Sequence, residues 1–325
     1  MPTLTSRRSV GIGLMLAVLQ TVALAIAADL TRSSAVKTQT ITSVVDVVVG
    51  VFLLFGVIRS DRPADARHPL GYGREGFFWS FVAAAGIFVG GVGAAAAETF
   101  QALLRPEPTG SYAVGYAVLV AVMMLDLAAL GVGLKPLLPR ARQRGLTLVQ
   151  FLWRGTDPAV TTVCLSSIAG LMGGAIALAG LAARQITGRS VVDVMASALI
   201  GLVLLVTSLL LLHTSRELLT GRGVAPDVLA AMRLVVSREP GIIEVPDLFA
   251  IVVGPGMLVV DGDVVFDDSL DVPRVEAAIV EVAAALRAAW PSIVYVYLNP
   301  VAEHRERRRG HSDQATQRRL PASPP

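Results

Sequence analysis

Residues 34–79 read SAVKTQTITSVVDVVVGVFLLFGVIRSDRPADARHPLGYGREGFFW. The stretch opens as an apolar run with a polar stripe. Gln39, Thr42, Asp46 and Gly50 recur every three or four residues, which places them on one helix face. A polar loop from Arg59 to Glu75 follows, and a second apolar run starts at Phe77-Phe78-Trp79. A carboxylate at mid-depth in a membrane helix costs roughly 2.5–3.5 kcal/mol on insertion scales. Asp46 is therefore expected to lie on an ion or proton path, or else to be a structural carboxylate bonded to Ser43 or a neighbouring helix.

The rest of the chain fits that beginning. Its 325 residues are 54% hydrophobic and 16% charged, with a mean hydropathy of +0.64, a composition that belongs to integral membrane proteins. Six apolar runs reach the roughly 20 residues a spanning helix needs: Val10–Ala28, Ala35–Ile58, Phe77–Leu104, Tyr112–Leu134, Ala159–Ala183 and Val191–Leu212. Arg7-Arg8 ahead of the first run, with Ala25-Ile26-Ala27 at its end, also has features of a signal peptide. The run is long for that role, and it is read here as a span.

Lys and Arg are unevenly shared between alternate loops. One set holds Arg7, Arg8, Arg59, Arg62, Arg67, Arg74, Lys135, Arg140, Arg142, Arg144 and Arg154. The other holds Arg32, Lys37, Arg105, Arg184 and Arg189. The richer set is expected on the cytoplasmic side of a bacterial-type inner or plasma membrane, with both termini inside.

After His213 the pattern changes. Ala225 to Ser237 predicts a helix, and Glu244 to Val253 and Met257 to Phe266 predict strands around Gly254-Pro255-Gly256. Asp271 is a predicted N-cap for a helix expected to bury Val272, Val275, Ile279, Val282 and Leu286. Ile293 to Leu298 predicts a last strand. The expected fold is a membrane all-α six-helix domain over residues 1–218 and a small cytoplasmic α+β layer of ferredoxin-like type over 219–301. A basic, then Pro- and Ser-rich tail over 302–325 is expected to be disordered. The single Cys164 excludes an intramolecular disulfide and a multi-cysteine zinc site. No nucleotide loop, nucleophile–base pair or nucleic-acid module is visible, so neither an enzyme nor a nucleic-acid partner is expected, and no cofactor.

The loop carries a further signal. Arg62-Pro63-Ala64-Asp65, then His68-Pro69-Leu70-Gly71-Tyr72-Gly73-Arg74 leading into Phe78-Trp79, resembles the cation diffusion facilitator family of metal transporters. The resemblance reaches to Pro300. It implies a homodimer with paired cytoplasmic domains, and efflux of a divalent cation by antiport, with protons as the expected counter-ion. It implies a mid-membrane cation site between spans two and five, with two ligands four residues apart on span two and a similar pair on span five, or an acidic pair there in the branch whose loop leads straight into a Phe-Trp pair, the one this chain is most similar to.

Here that ligand pattern is altered. Asp46 matches one ligand of span two, while the other falls on Thr42 and a nearby acidic position of the branch falls on Gln39. In span five Asp157-Pro158 matches the entry to the helix, and the acidic pair falls on Ser166-Ser167. A hydroxyl is a poor zinc ligand, and one carboxylate does not hold Zn²⁺ well. Three readings follow. The site is rebuilt from Asp46, Thr42, Ser167, Cys164 and Asp157, with Asp126 and Asp193 as further carboxylates, and an oxygen-rich set suits a harder cation such as Mn²⁺ or Mg²⁺ better than Zn²⁺. Alternatively, transport is lost and the chain is a non-transporting membrane partner or regulator. Third, the register in span five is shifted. Each residue also has a structural reading: packing hydroxyls at Thr42, Ser166 and Ser167, an apolar filler at Cys164, an N-cap at Asp157 and a helix-terminal carboxylate at Asp193. In the loop, Asp65 and His68 are weak candidates for a peripheral metal site, with Tyr72 at the place of a further ligand. Arg74 and the basic tail are expected to meet membrane lipid headgroups.

Overall fold

The computed structural model describes residues 3–105, 110–135 and 158–302, with positions 138 and 147 besides. Asp157 and the tail from Glu303 onward lie outside the described residues. The chain divides into two compact units between Thr220 and Gly221.

Among the described residues, the first unit contains six helices long and apolar enough to cross a membrane. They are α1 (Thr3–Thr31), α2 (Ser34–Ser60), α3 (Gly73–Leu104), α4 (Tyr112–Leu134), α5 (Pro158–Thr187) and α6 (Ser190–Leu219). Contacts show which neighbours run antiparallel. Between α4 and α5, Gly115 meets Leu181, Asp126 meets Gly170 and Gly133 meets Cys164, so positions fall on one helix as they climb on the other. Small residues permit these approaches, as close packing in lipid requires. A Cβ on Gly174 would sit 2.7 Å from Met123, and one on Gly180 2.5 Å from Ala196 of α6. The buried core lies in two parts. Leu24, Val36, Leu119, Leu181 and Ile200 fill one, and Val49, Leu53, Ile87 and Leu204 the other.

Short polar devices hold the ends of the bundle. Ser33 N-caps α2 by accepting from the Val36 N–H at 3.3 Å. Arg7 of α1 pairs with Asp61 at the end of α2 at 2.6 Å. The loop after α2 is organised by Asp65, whose Oδ1 accepts from the Arg67 and His68 N–H groups at 2.9 and 2.8 Å and whose Oδ2 accepts from the Tyr72 hydroxyl at 2.7 Å. Gly71 turns the chain at φ +78°, a conformation that favours glycine. Trp79 then lies over Gly56, where a Cβ would come within 2.7 Å of it, with the Phe55 ring 4.8 Å away edge-on. The loop string that marked the sequence is thus a self-bonded turn that docks α3 on α2.

α3 is interrupted by a π-helical segment, Ile87–Val92, within its glycine-rich stretch. Such insertions recur at functional positions. Gly91 here faces Val45, the neighbour of Asp46.

The second unit follows the predicted order: α7 (Pro226–Ser237), β1 (Ile242–Gly254), β2 (Met257–Phe266), α8 (Val272–Ala289) and β3 (Ile293–Pro300). Its sheet is mixed, with β1 and β2 antiparallel and β2 and β3 parallel across the α8 connection. Asp271 caps α8 as expected, accepting from the Arg274 N–H at 3.2 Å. The buried face of α8 differs from the prediction. Val282 and Leu286 are buried, together with Ala278 and Ala283, whereas Val272 is 80% exposed. Val272 occupies the first turn, and the buried residues start about 1.7 turns later at Ala278.

Candidate cation site in the helix bundle

Asp46 lies near the middle of α2 and is half-buried. Its carboxylate takes the Ser166 hydroxyl of α5 as a hydrogen-bond partner and is within Coulombic reach of Asp126 on α4. Ser43, its alternative partner in sequence, is instead hydrogen-bonded to Thr21 of α1 at 2.8 Å. Helices α2 and α5 meet antiparallel at this seam: Asp46 faces Ser166, and Gln39, two turns away, faces Gly173.

Asp126 is 6% exposed. Its Oδ1 accepts from Gln20 Nε2 of α1 at 2.7 Å. Its Oδ2 is buried without a hydrogen-bond partner. The carboxylate fits because α5 has no side chain at Gly170, where a Cβ would stand 2.6 Å from Oδ2. Gln39 is 3% exposed, donates from Nε2 to the Gly170 carbonyl at 3.4 Å, and likewise leaves Oε1 buried and unpartnered. Gly173 makes room for it, since a Cβ there would meet Oε1 at 2.5 Å. Four helices thus contribute polar atoms to one mid-bundle region.

The other sequence candidates are placed differently. Thr42 is buried and its hydroxyl donates to the Thr38 carbonyl one turn back at 3.1 Å. Ser167 does the same to Val163 at 2.9 Å. Cys164 is fully buried and packs with Val160, Leu130 and Leu134 on the α4 side. A Cβ on Gly133 would come within 2.9 Å of its sulfur. Among the described residues no three His, Cys, Asp or Glu side chains gather as metal ligands. Asp193 is fully buried and tied up structurally: Arg184 reaches it at 2.9 Å, and the Ser33 hydroxyl and Ser34 N–H at 2.8 and 2.9 Å.

At the loop, hydrogen bonding from Tyr72 first, then from the His68 and Arg67 amides, holds the Asp65 carboxyl below the usual carboxylate range. Both its oxygens serve the turn, and His68 Nδ1 lies 3.6 Å away. Gln20 was not singled out by the sequence reading. Its signal is there, an amide in the middle of an otherwise apolar run, but its partner is 106 positions away.

The match to known proteins falls on this bundle. Residues 10–220 match the family described as the cation efflux transmembrane domain. The chain belongs to the cation efflux, or cation diffusion facilitator, family. It is 30% identical over 224 residues to metal tolerance protein C4 of Arabidopsis thaliana, covering 69% of this chain and 49% of that protein. It is 26% identical over 237 residues to the human mitochondrial proton-coupled zinc antiporter SLC30A9, covering 73% of this chain and 42% of that protein. The mouse counterpart is 27% identical over the same length. The chain therefore spans half the length, or less, of these cation efflux relatives. The family match and the six apolar helices identify an integral membrane protein.

Proposed function

We propose that the chain moves a divalent metal cation across a membrane by alternating access, with Asp46 as the central ligand. The observation that carries this reading is the Asp46 carboxylate at the α2–α5 seam, half-buried and facing Ser166. Leaving a carboxylate at that depth is costly unless something positive compensates it. The family membership supports the same reading. Protons are the proposed counter-ion, in line with the human relative's name as a proton-coupled zinc antiporter. The bias of Lys and Arg supports a cytoplasmic second unit with both termini inside, and the family membership supports a homodimer as the working form. The test is metal flux into proteoliposomes. Asp46→Ala abolishes it if the reading is right, and unchanged flux refutes it.

A second reading is a non-conducting membrane partner of the same fold. It is favoured by the Thr42 and Ser167 hydroxyls, which bond back to their own helices instead of facing an ion. Calorimetric titration of the purified chain with Zn²⁺, Mn²⁺ and Mg²⁺ separates the two. Tight stoichiometric binding that Asp46→Ala removes eliminates the partner reading.

A further inference from the structure

The polar region of the bundle is short of donors on one side. Asp126 Oδ2 and Gln39 Oε1 are both buried acceptors without a partner. Leaving such an atom unsatisfied is costly, and more so when it is charged. The two are not scattered. They project onto Gly170 and Gly173, which are neighbours on one face of α5, about 5–6 Å apart at the Cβ positions. The Gly170 carbonyl, which accepts from Gln39 Nε2, lies on the same wall. Asp46 is within Coulombic reach of Asp126 and bonds to Ser166, one turn before Gly170. The available atoms are carboxylate, amide and hydroxyl oxygens. Cys164, the single thiol of the chain, packs among Leu130, Leu134 and Gly133.

We propose that Asp126 of α4 and the Gln39 carbonyl of α2 are ligands of the transported cation at a station along the α2–α5 seam beyond Asp46, so that the cargo meets carboxylate, amide and hydroxyl oxygens of α2, α4 and α5, a donor set that suits Mn²⁺. This deepens the transport reading and rests on it. A divalent cation held at Asp126 Oδ2 and Gln39 Oε1 occupies both unpartnered oxygens and offsets the repulsion between Asp126 and Asp46 in a low-dielectric compartment. Carboxylate and carbonyl oxygens suit Mn²⁺, whereas thiolate or imidazole would favour Zn²⁺. Gln20 is a positioning residue: its amide holds Oδ1 of Asp126 at 2.7 Å and thereby turns Oδ2 toward α5. The missing Cβ atoms of Gly170 and Gly173 keep the space in which the two oxygens stand.

The test uses the full chain in detergent, with Mn²⁺ binding followed by electron paramagnetic resonance and flux of Mn²⁺ and Zn²⁺ followed in proteoliposomes. Asp126→Asn is expected to weaken Mn²⁺ binding at least about tenfold, as loss of a charged ligand does. Gln39→Ala weakens it about three- to tenfold, the range of one neutral polar contact. Gln39→His puts an imidazole at the wall and shifts the Mn²⁺-to-Zn²⁺ affinity ratio toward Zn²⁺ by about tenfold or more. The histidine variant keeps the test open if Asp126→Asn does not fold. Flux by the wild type with an unchanged Mn²⁺ affinity in Asp126→Asn, or an unchanged metal ratio in Gln39→His, overturns this inference and leaves the transport reading standing. A wild-type chain that neither binds nor moves any of these metals overturns both.

Discussion

Asp193, in the first turn of α6, caps α2 from outside: its Oδ2 accepts the Ser34 N–H at 2.9 Å and the Arg184 guanidinium at the same distance. One buried carboxylate thus joins the ends of α2, α5 and α6 and sets where the α2 face starts. Breaking a buried pair by removing one partner leaves the other charge uncompensated. Asp193→Ala should therefore destabilise the bundle by about 3–5 kcal/mol, read as a lowered unfolding temperature of the purified chain in detergent. A variant that melts like the wild type would show that the network contributes nothing.

Glycine positions on α5 and α3 are not equivalent. Gly170→Ala drives a methyl group to 2.6 Å from the Asp126 carboxylate, while nothing stands within 4 Å of a Cβ on Gly86. Overpacking of this kind costs typically about 1–3 kcal/mol, so Gly170→Ala should lower thermal stability. Gly86→Ala should be neutral or slightly stabilising, since a helix favours alanine over glycine by about 1 kcal/mol. Equal melting of the two variants would contradict the assigned helix contact.

The two serines of α5 should separate cleanly. Ser166 bonds across to Asp46, and Ser167 bonds back to Val163. Ser166→Ala is expected to reduce metal affinity about three- to tenfold, the value of one lost hydrogen bond or weak ligand. Ser167→Ala should stay near wild type in the same calorimetric titration. Reversal of that order would place the cation on the opposite side of α5.

In the second unit, burial and then the neighbouring Glu281 carboxyl push the Glu239 carboxyl above its usual range. A carboxyl raised on folding binds its proton more tightly in the native state, so its contribution favours the fold as pH falls from its folded value toward its unfolded one near 4.5. Above the folded value that contribution is lost. Hydrogen exchange of the 237–243 segment in the full chain should therefore slow as pH drops through this window, after correction for intrinsic exchange. Glu239→Gln should flatten the response, and an unchanged response in that variant would remove Glu239 as its source.

Local chemistry made much of this protein legible before any coordinates. Length and apolarity define the six spans because a helix must satisfy its backbone inside lipid. Asp271 and the Gly254-Pro255-Gly256 turn mark the frame of the second unit. The self-bonded loop was legible as a string, since all its partners lie within seven residues of Asp65.

What the sequence determined by itself is the set of elements and the presence of one carboxylate deep in the second span, because both depend on interactions between near neighbours and on the solvent each segment can tolerate. Only the tertiary structure decided which atoms surround that carboxylate. One residue along a helix turns a side chain by about 100°, so the choice of Ser166 over Ser167 is a question of helix rotation that periodicity does not answer. Gln20 and Asp126 meet across 106 positions, and Gly170 matters through the side chain it lacks. Those relations arise from how four helices pack against one another, and no single stretch of the chain contains them.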